Sequence, residues 1–164
     1  MIPCRESAEA PPVLLLGIGN LLFADEGAGV HAVRRLSREL EGLAGVCCLD
    51  GGTLGFALAA DIGRCAALIV LDAADMGEPP GSVAVFEGER MDRFLGARKG
   101  RSAHELGLLD AMSAAALSGE LPARRALVGI QGDSFASRAE PSAPVHRSLE
   151  RACERARELI RRWL

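Results

Sequence analysis

The sequence predicts a three-layer α/β/α sandwich built on a mostly parallel sheet of about five strands. Short, nearly continuous apolar runs bounded by turn residues are typical of strands that are buried on both faces of a parallel sheet. Segments with helical spacing of apolar residues separate these runs, so strands and helices alternate along the chain. No internal repeat and no linker interrupts the alternation, and we therefore expect one domain.

Four apolar runs predict the buried strands, and a fifth segment predicts an edge strand. The buried strands are expected at Val13–Leu16, Val46–Leu49, Ala66–Leu71 and Ala126–Ile130. The fifth segment, Ser82–Phe86, directly follows the turn Pro79-Pro80-Gly81. Because proline cannot donate to a ladder of hydrogen bonds, a strand that starts beside it is expected at the edge of the sheet.

Four segments place apolar side chains three and four residues apart, as an amphipathic helix does. They are Gly29–Leu40, Thr53–Asp61, His104–Leu117 and Ala143–Leu164. We expect Thr53 to be the N-cap of the second helix, and we expect that helix to end before Gly63. The last helix carries many charged side chains, so it is expected to form a solvated outer layer of a monomer.

Composition limits the class of protein. The chain has 164 residues, 49% apolar and 25% charged, which is typical of one globular domain. The net charge of −3 argues against a nucleic-acid-binding protein, which needs a basic face. Residues 1–12 contain Glu6 and Glu9 and no apolar core, so we expect a flexible N-terminal extension before a single domain at 13–164 rather than a signal peptide.

The cysteines and the apolar runs bear on location. The five cysteines are odd in number and form no C-x-x-C pair, which predicts neither a disulfide framework nor a zinc finger and favours a reducing compartment. The apolar runs are too short to cross a bilayer. A cytoplasmic protein without membrane insertion is therefore expected.

Carboxylates follow three consecutive strands of the predicted sheet. Asp25 and Glu26 come after the first strand, Asp50 ends the second, and Asp72 ends the third. In open α/β sheets, ligands bind in the crevice outside the carboxyl ends of the strands. Clustered carboxylates repel one another unless a cation or a shared proton offsets their charge. The pattern therefore predicts a functional site at this edge of the sheet.

A histidine is available to complete a metal site. His104 opens a predicted helix, where the helix N-terminus favours the neutral imidazole that binds metals. Two carboxylates and one imidazole, with positions left open, suit a divalent ion such as nickel or zinc. The alternative is a purely structural histidine. Of the other two histidines, His31 is expected on the flank of an amphipathic helix and His146 on a surface helix near the C-terminus.

Dinucleotide binding is the first competing interpretation. Gly17-x-Gly19 follows a strand, but Leu22 stands where the third glycine of the fingerprint belongs. Asp25 and Glu26 lie where the helix N-terminus would receive a pyrophosphate, and two carboxylates there oppose an anion. We reject this interpretation.

Hydrolase motifs are also incomplete. Gly132-Asp133-Ser134-Phe135-Ala136 resembles a nucleophile elbow but lacks its final glycine, and the only downstream histidine is His146. His104-Glu105 does not begin an H-E-x-x-H zinc motif, because position 108 is Leu108. We expect the serine segment to be a polar loop.

Several motifs occur together in one order and spacing. They are Leu15-Leu16-Gly17-Ile18-Gly19-Asn20-Leu21-Leu22, Asp25-Glu26-Gly27-x-Gly29-Val30, Leu49-Asp50-Gly51-Gly52-Thr53, Val70-Leu71-Asp72-Ala73, His104-Glu105-Leu106-Gly107-Leu108 and Leu127-Val128-Gly129-Ile130-Gln131. On these motifs the chain resembles the hydrogenase maturation endopeptidases. Two departures are Ala24, where glycine is frequent in that family, and Gly132-Asp133-Ser134, where proline and an acid often follow the glutamine.

The resemblance implies an aspartic-type endopeptidase with a phosphorylase/hydrolase-like fold. Such an enzyme removes the C-terminal extension of the large-subunit precursor of a nickel–iron hydrogenase after nickel insertion. The family's metal-contacting residues fall on Glu26, Asp72 and His104. The nickel then arrives with the substrate protein, zinc or cadmium could substitute for it at the site, and no organic cofactor is expected.

The resemblance leaves the chemistry of cleavage open. Asp50 is the leading candidate for a general base, with Glu26 and Asp72 as further catalytic candidates. Alternatively, nickel acts as a Lewis acid on the carbonyl or on a water. Asp50 has a structural alternative, in which it braces the Gly51-Gly52 turn. A nickel-binding chaperone or sensor that uses the same ligands without cleavage is the non-enzyme alternative.

Overall fold

A computed structural model describes residues 12–97, 103–133 and 140–164, without the side chains of residues 103–106. Within these ranges the chain forms five strands, namely β1 Val13–Ile18, β2 Val46–Gly52, β3 Ala67–Ala73, β4 Val83–Glu87 and β5 Arg124–Ile130. Its α-helices are α1 Ala28–Glu39, α2 Ala59–Arg64, α3 Glu89–Ala97, α4 Ala103–Leu117 and α5 Ala143–Trp163. Two 3-10 helices, Ala24–Gly27 and Gly55–Leu58, precede α1 and α2.

The strands form one sheet in the order β2-β1-β3-β5-β4. The pairs β1–β2, β1–β3 and β3–β5 are parallel, and β4 runs antiparallel to β5 at one edge. The predicted α/β class, the mostly parallel sheet and the edge position of the fifth strand are confirmed. Because β2 and β3 lie on opposite sides of β1, the direction of winding reverses between β1 and β3, where open α/β sheets bind ligands.

Helices cover both faces of the sheet. On one face α1 and α5 bury Leu15, Ile69 and Val128, and on the other α2, α3 and α4 bury Leu16 and Val70. These residues alternate along their strands, as the period of two requires. The expectation of burial on both faces fails for β2, which is only half-buried over most of its length because it forms the other edge of the sheet.

The helix boundaries differ from the prediction at α2. The chain after β2 first makes a turn in which the Leu54 amide donates to the Gly51 carbonyl at 2.9 Å, and only then enters the 3-10 helix. Leu54, not Thr53, is the N-cap of this 3-10 helix, and no side chain caps it. α2 follows directly and continues through Gly63 to Arg64. The short α3 and the 3-10 helix Ala24–Gly27 are not in the sequence prediction.

The N-terminus of α1 lies directly on the carboxyl ends of β1 and β3. A Cβ at Gly29 would lie 2.1 Å from the Leu71 carbonyl oxygen and 2.5 Å from that of Ile18. Only glycine permits this approach. The segment that precedes α1, which carries Asp25 and Glu26, is therefore held at the switch point of the sheet.

The cysteines differ from the sequence-based expectation. Cys47 is disulfide-bonded, although its sequence context predicts a thiol, because cysteine count and spacing do not report spatial proximity. Cys48, Cys65 and Cys153 are free. No helix among the described residues is both long enough and apolar enough to span a bilayer. The predicted extension, apart from its last residue, and Ser134 lie outside the described residues.

Candidate functional site

Glu26 lies in the 3-10 helix between β1 and α1. Its amide donates to the Phe23 carbonyl at 2.8 Å, and its side chain is half-buried. The 3-10 helix contacts β3 as well as α1. Gly19 has a φ of +132°, and a Cβ there would lie 1.7 Å from the Glu26 carbonyl oxygen. The backbone of the loop after β1 therefore packs directly against the backbone of Glu26. These contacts place Glu26 in the crevice beside the end of β3.

Asp72 is the penultimate residue of β3 and is only 1% exposed. It pairs with Gly129 of β5. Alternation along β3 places it on the same sheet face as Leu68 and Val70, which is the face covered by α2, α3 and α4. A carboxylate this deeply buried is expensive to keep charged unless a partner or cation offsets the charge.

His104 lies in the first turn of α4, and its side chain is outside the described residues. The position of the helix is nevertheless clear. Gly107 contacts Gly55, because a Cβ at Gly107 would lie 2.4 Å from the Gly55 Cα. Gly55 follows the carboxyl end of β2, so the N-terminal half of α4 lies at the same edge of the sheet as Glu26 and Asp72.

The structure therefore brings the elements that carry Glu26, Asp72 and His104 to one edge of the sheet. Among the residues whose side chains are described, no three His, Cys, Asp or Glu side chains form a group that could hold a metal ion. His104 is not among those residues, so the three-ligand site stays a prediction.

Asp50 occupies a different environment. Its neighbours Cys47 and Leu49 face the core that α4 helps to cover, so alternation turns Asp50 toward α1, away from the face of Asp72. One of its oxygens accepts from Arg34 of α1 at 2.8 Å, and the other accepts from the Gly52 amide at 3.1 Å. This geometry favours the alternative in which Asp50 braces the Gly51-Gly52 turn.

The Asp25 carboxylate connects distant segments of the chain beside the site. It is fully buried and accepts hydrogen bonds from the Asp133 amide at 2.8 Å, the Ser142 amide at 2.6 Å and the Ser142 hydroxyl at 2.9 Å. It therefore joins the loop after β1 to both flanks of the segment between β5 and α5. No local sequence signal predicts partners more than a hundred residues away.

Gln131 fixes the neighbouring loop. Its side-chain oxygen accepts from the Met76 amide at 2.7 Å and the Glu78 amide at 3.3 Å, and its amide nitrogen donates to the Gly132 carbonyl at 3.2 Å. The side chain is 9% exposed. Gln131 thus ties the end of β5 to the loop that follows Asp72.

The free thiols do not supply a nucleophile. Burial raises the pKa of Cys48, Cys65 and Cys153 to about 11. The thiolate is the nucleophilic form, and at neutral pH these groups stay protonated. Cleavage by a cysteine mechanism is therefore not supported by the thiols that the structure describes.

Known proteins are similar to this chain in sequence and in fold. The family model of the hydrogenase maturation proteases matches residues 30–159. HupD of Rhizobium leguminosarum bv. viciae, a hydrogenase expression/formation protein, is 40% identical over 155 residues, which cover 94% of this chain and 76% of HupD. The hydrogenase 2 maturation protease of Escherichia coli is 32% identical over 150 residues, covering 91% of this chain and 90% of that protein.

Two solved structures agree with these matches. The hydrogenase maturating endopeptidase HybD from E. coli superimposes with a TM-score of 0.83 at 31% identity, covering 92% of each chain. The [NiFe] hydrogenase maturation protease HybD from Thermococcus kodakarensis gives a TM-score of 0.75 at 33% identity, covering 90% of this chain and 97% of that one. This chain belongs to the hydrogenase maturation protease family, and it is an endopeptidase of hydrogenase maturation.

Proposed function

We propose that this endopeptidase recognises its precursor through the nickel ion that the precursor already carries. The substrate is the large-subunit precursor of a [NiFe] hydrogenase, from which the enzyme removes the C-terminal extension. Glu26, Asp72 and His104 contact the nickel when the precursor docks. The observation that supports this proposal most directly is the buried Asp72 carboxylate at the switch point, beside the element that carries Glu26.

The donor set explains why only loaded precursor is cut. Two carboxylates and an imidazole supply three ligands to a divalent ion. The remaining coordination positions of the ion are filled by ligands from the precursor. A nickel-free precursor lacks this anchor, so it cannot make these three metal contacts. Discrimination then comes from one missing interaction at a buried polar site, which is a strong way to reject a substrate.

The hydrolytic step has two candidate routes. Nickel, as part of the substrate, can polarise the scissile carbonyl or acidify a water. Alternatively, a carboxylate acts as general base on a water, as an aspartic-type mechanism requires. Glu26 and Asp72 border the crevice, whereas Asp50 faces the other side of the sheet, so the first two are the better-placed carboxylates.

An Asp50→Asn variant distinguishes the two roles of Asp50. If Asp50 braces the turn, the variant keeps its kcat within about tenfold of wild type, because the amide oxygen can still accept from Gly52 or Arg34. Arg34→Gln removes the guanidinium that donates to Asp50, so its kcat should then also stay within about tenfold of wild type. A loss beyond about 100-fold in Asp50→Asn, with Arg34→Gln still active, would instead make Asp50 the general base.

Mass spectrometry of the precursor tests the proposed function. Purified nickel-loaded precursor incubated with this protein is expected to lose its C-terminal extension. The nickel-free precursor under the same conditions is expected to stay intact. A protein that binds the loaded precursor without shortening it would be the nickel-binding chaperone or sensor, and equal cleavage of both precursors would contradict recognition through nickel.

A further inference from the structure

The large apolar side chains that are exposed among the described residues are concentrated beside the candidate site. Four of the seven lie in the connections that follow β1 and β2, which are called the first and the second loop below, namely Leu22, Phe23, Leu54 and Phe56. Phe56 is in the 3-10 helix Gly55–Leu58 of the second loop. Leu22 is 69% exposed and Phe56 is 67% exposed. The other three, Leu43, Leu117 and Leu164, occur singly elsewhere, as scattered surface leucines ordinarily do.

The two loops contact each other. The Gly19 amide at the start of the first loop donates to the Gly52 carbonyl at the start of the second at 3.0 Å. Neither segment, 19–23 or 51–58, contains a charged residue. The four exposed side chains therefore belong to two neighbouring segments, 19–23 and 51–58, that contain no charged residue.

These loops border the candidate site on two sides. The carbonyl of Phe23 accepts the Glu26 amide at 2.8 Å, so the first loop leads directly into the helix that carries Glu26. In the second loop, Gly55 contacts Gly107, which lies three residues after His104 on α4. Leu54 and Phe56 flank Gly55 in the chain.

We infer that Leu22, Phe23, Leu54 and Phe56 form a docking surface for an apolar face of the precursor protein beside its metal centre. This inference rests on the proposed function. Asp72 is 1% exposed, so a metal centre reaches it only if the protein that carries that centre presses against the rim of the crevice. Because segments 19–23 and 51–58 at this rim are uncharged and expose large apolar side chains, the face of the precursor that packs on them is apolar. Large aromatic side chains are common anchors of such interfaces.

Kinetics with loaded precursor tests the docking surface. Leu22→Ser and Phe56→Ser are each expected to raise KM about tenfold and the double variant about 100-fold, with kcat unchanged, because the lost contact is away from the reacting bond. Leu117→Ser is the matched control. Leu117 is 91% exposed at the far end of α4, about 20 Å along the helix from His104, and its replacement should leave KM unchanged.

Three results would overturn the inference. Equal KM values for the loop variants and Leu117→Ser would exclude the docking surface and leave the proposed function standing. If the wild-type enzyme does not shorten loaded precursor, both the docking surface and the proposed function are refuted. If sedimentation velocity shows a dimer that Phe56→Ser dissociates while KM stays unchanged, the surface binds a second copy of this chain instead. Because the replaced side chains are exposed, the variants should melt within about 2 °C of wild type.

Discussion

Glu26→Gln and Asp72→Asn are each expected to reduce processing of nickel-loaded precursor at least 100-fold, roughly, since loss of an outer partner of a metal ligand alone costs 10- to 100-fold in affinity. Each replacement keeps the shape of the side chain and removes one negative charge that, under the proposed function, binds the divalent ion. His104→Ala should give the same loss. The measurement is the rate of precursor shortening, followed by mass spectrometry under single-turnover conditions.

The same variants should keep their fold. Removing a carboxylate charge from a crevice that also holds a second carboxylate relieves repulsion, so the free energy of unfolding is not expected to fall for Glu26→Gln. Asp110→Asn is the matched control, because Asp110 is an exposed acid on α4. Normal trimming of loaded precursor by all three site variants would refute the proposed metal recognition.

Much of the fold could be predicted because buried strands carry a strong local signal. Runs such as Ala66–Leu71 are apolar on both faces and short, and the observed strand, Ala67–Ala73, begins only one residue later and ends two residues later. The fifth strand, which follows a proline turn, is an edge strand, as the sequence predicts. In contrast, α3 offers only Met91 and Leu95 as buried residues over its nine residues, which is too short a repeat to distinguish from a loop.

The candidate site was partly predictable because parallel strands end at one edge of the sheet. Sequence position alone placed Glu26, Asp50 and Asp72 there, but it did not indicate which face each side chain takes. Alternation within the observed register separates Asp50, bound to Arg34, from Asp72. The burial of Asp25 was not predictable, because its partners come from the segment before α5.

Asp25→Ala is expected to lower the free energy of unfolding by roughly 3–5 kcal/mol, because it leaves three buried or half-buried donors without their acceptor. These donors are the amides of Asp133 and Ser142 and the Ser142 hydroxyl. Since whole domains are stable by only about 5–15 kcal/mol, this is a large fraction of the total. Chemical denaturation of the purified variant measures the loss.

The position of Ser142 explains why the loss should exceed that of ordinary loop contacts. Ser142 is the N-cap residue of α5, yet its hydroxyl makes no capping bond to its own helix. Both its amide and its hydroxyl donate to Asp25 instead. The carboxylate thus lies at the N-terminus of a 21-residue helix, where the helix dipole favours a negative charge by up to about 2 kcal/mol in partly buried sites.

A graded series separates these contributions. Ser142→Ala removes one hydrogen bond and should lower the free energy of unfolding by about 1 kcal/mol. Asp25→Asn keeps one acceptor oxygen but loses the charge, so its loss of stability should lie between those of Ser142→Ala and Asp25→Ala. Asp110→Ala, which changes an exposed acid, should stay within about 0.5 kcal/mol of wild type. If Asp25→Ala proved as stable as Asp110→Ala, the carboxylate would not hold α5 to the loop after β1.

Because that loop also carries Glu26, we expect Asp25→Ala to lose processing beyond what its unfolded fraction explains.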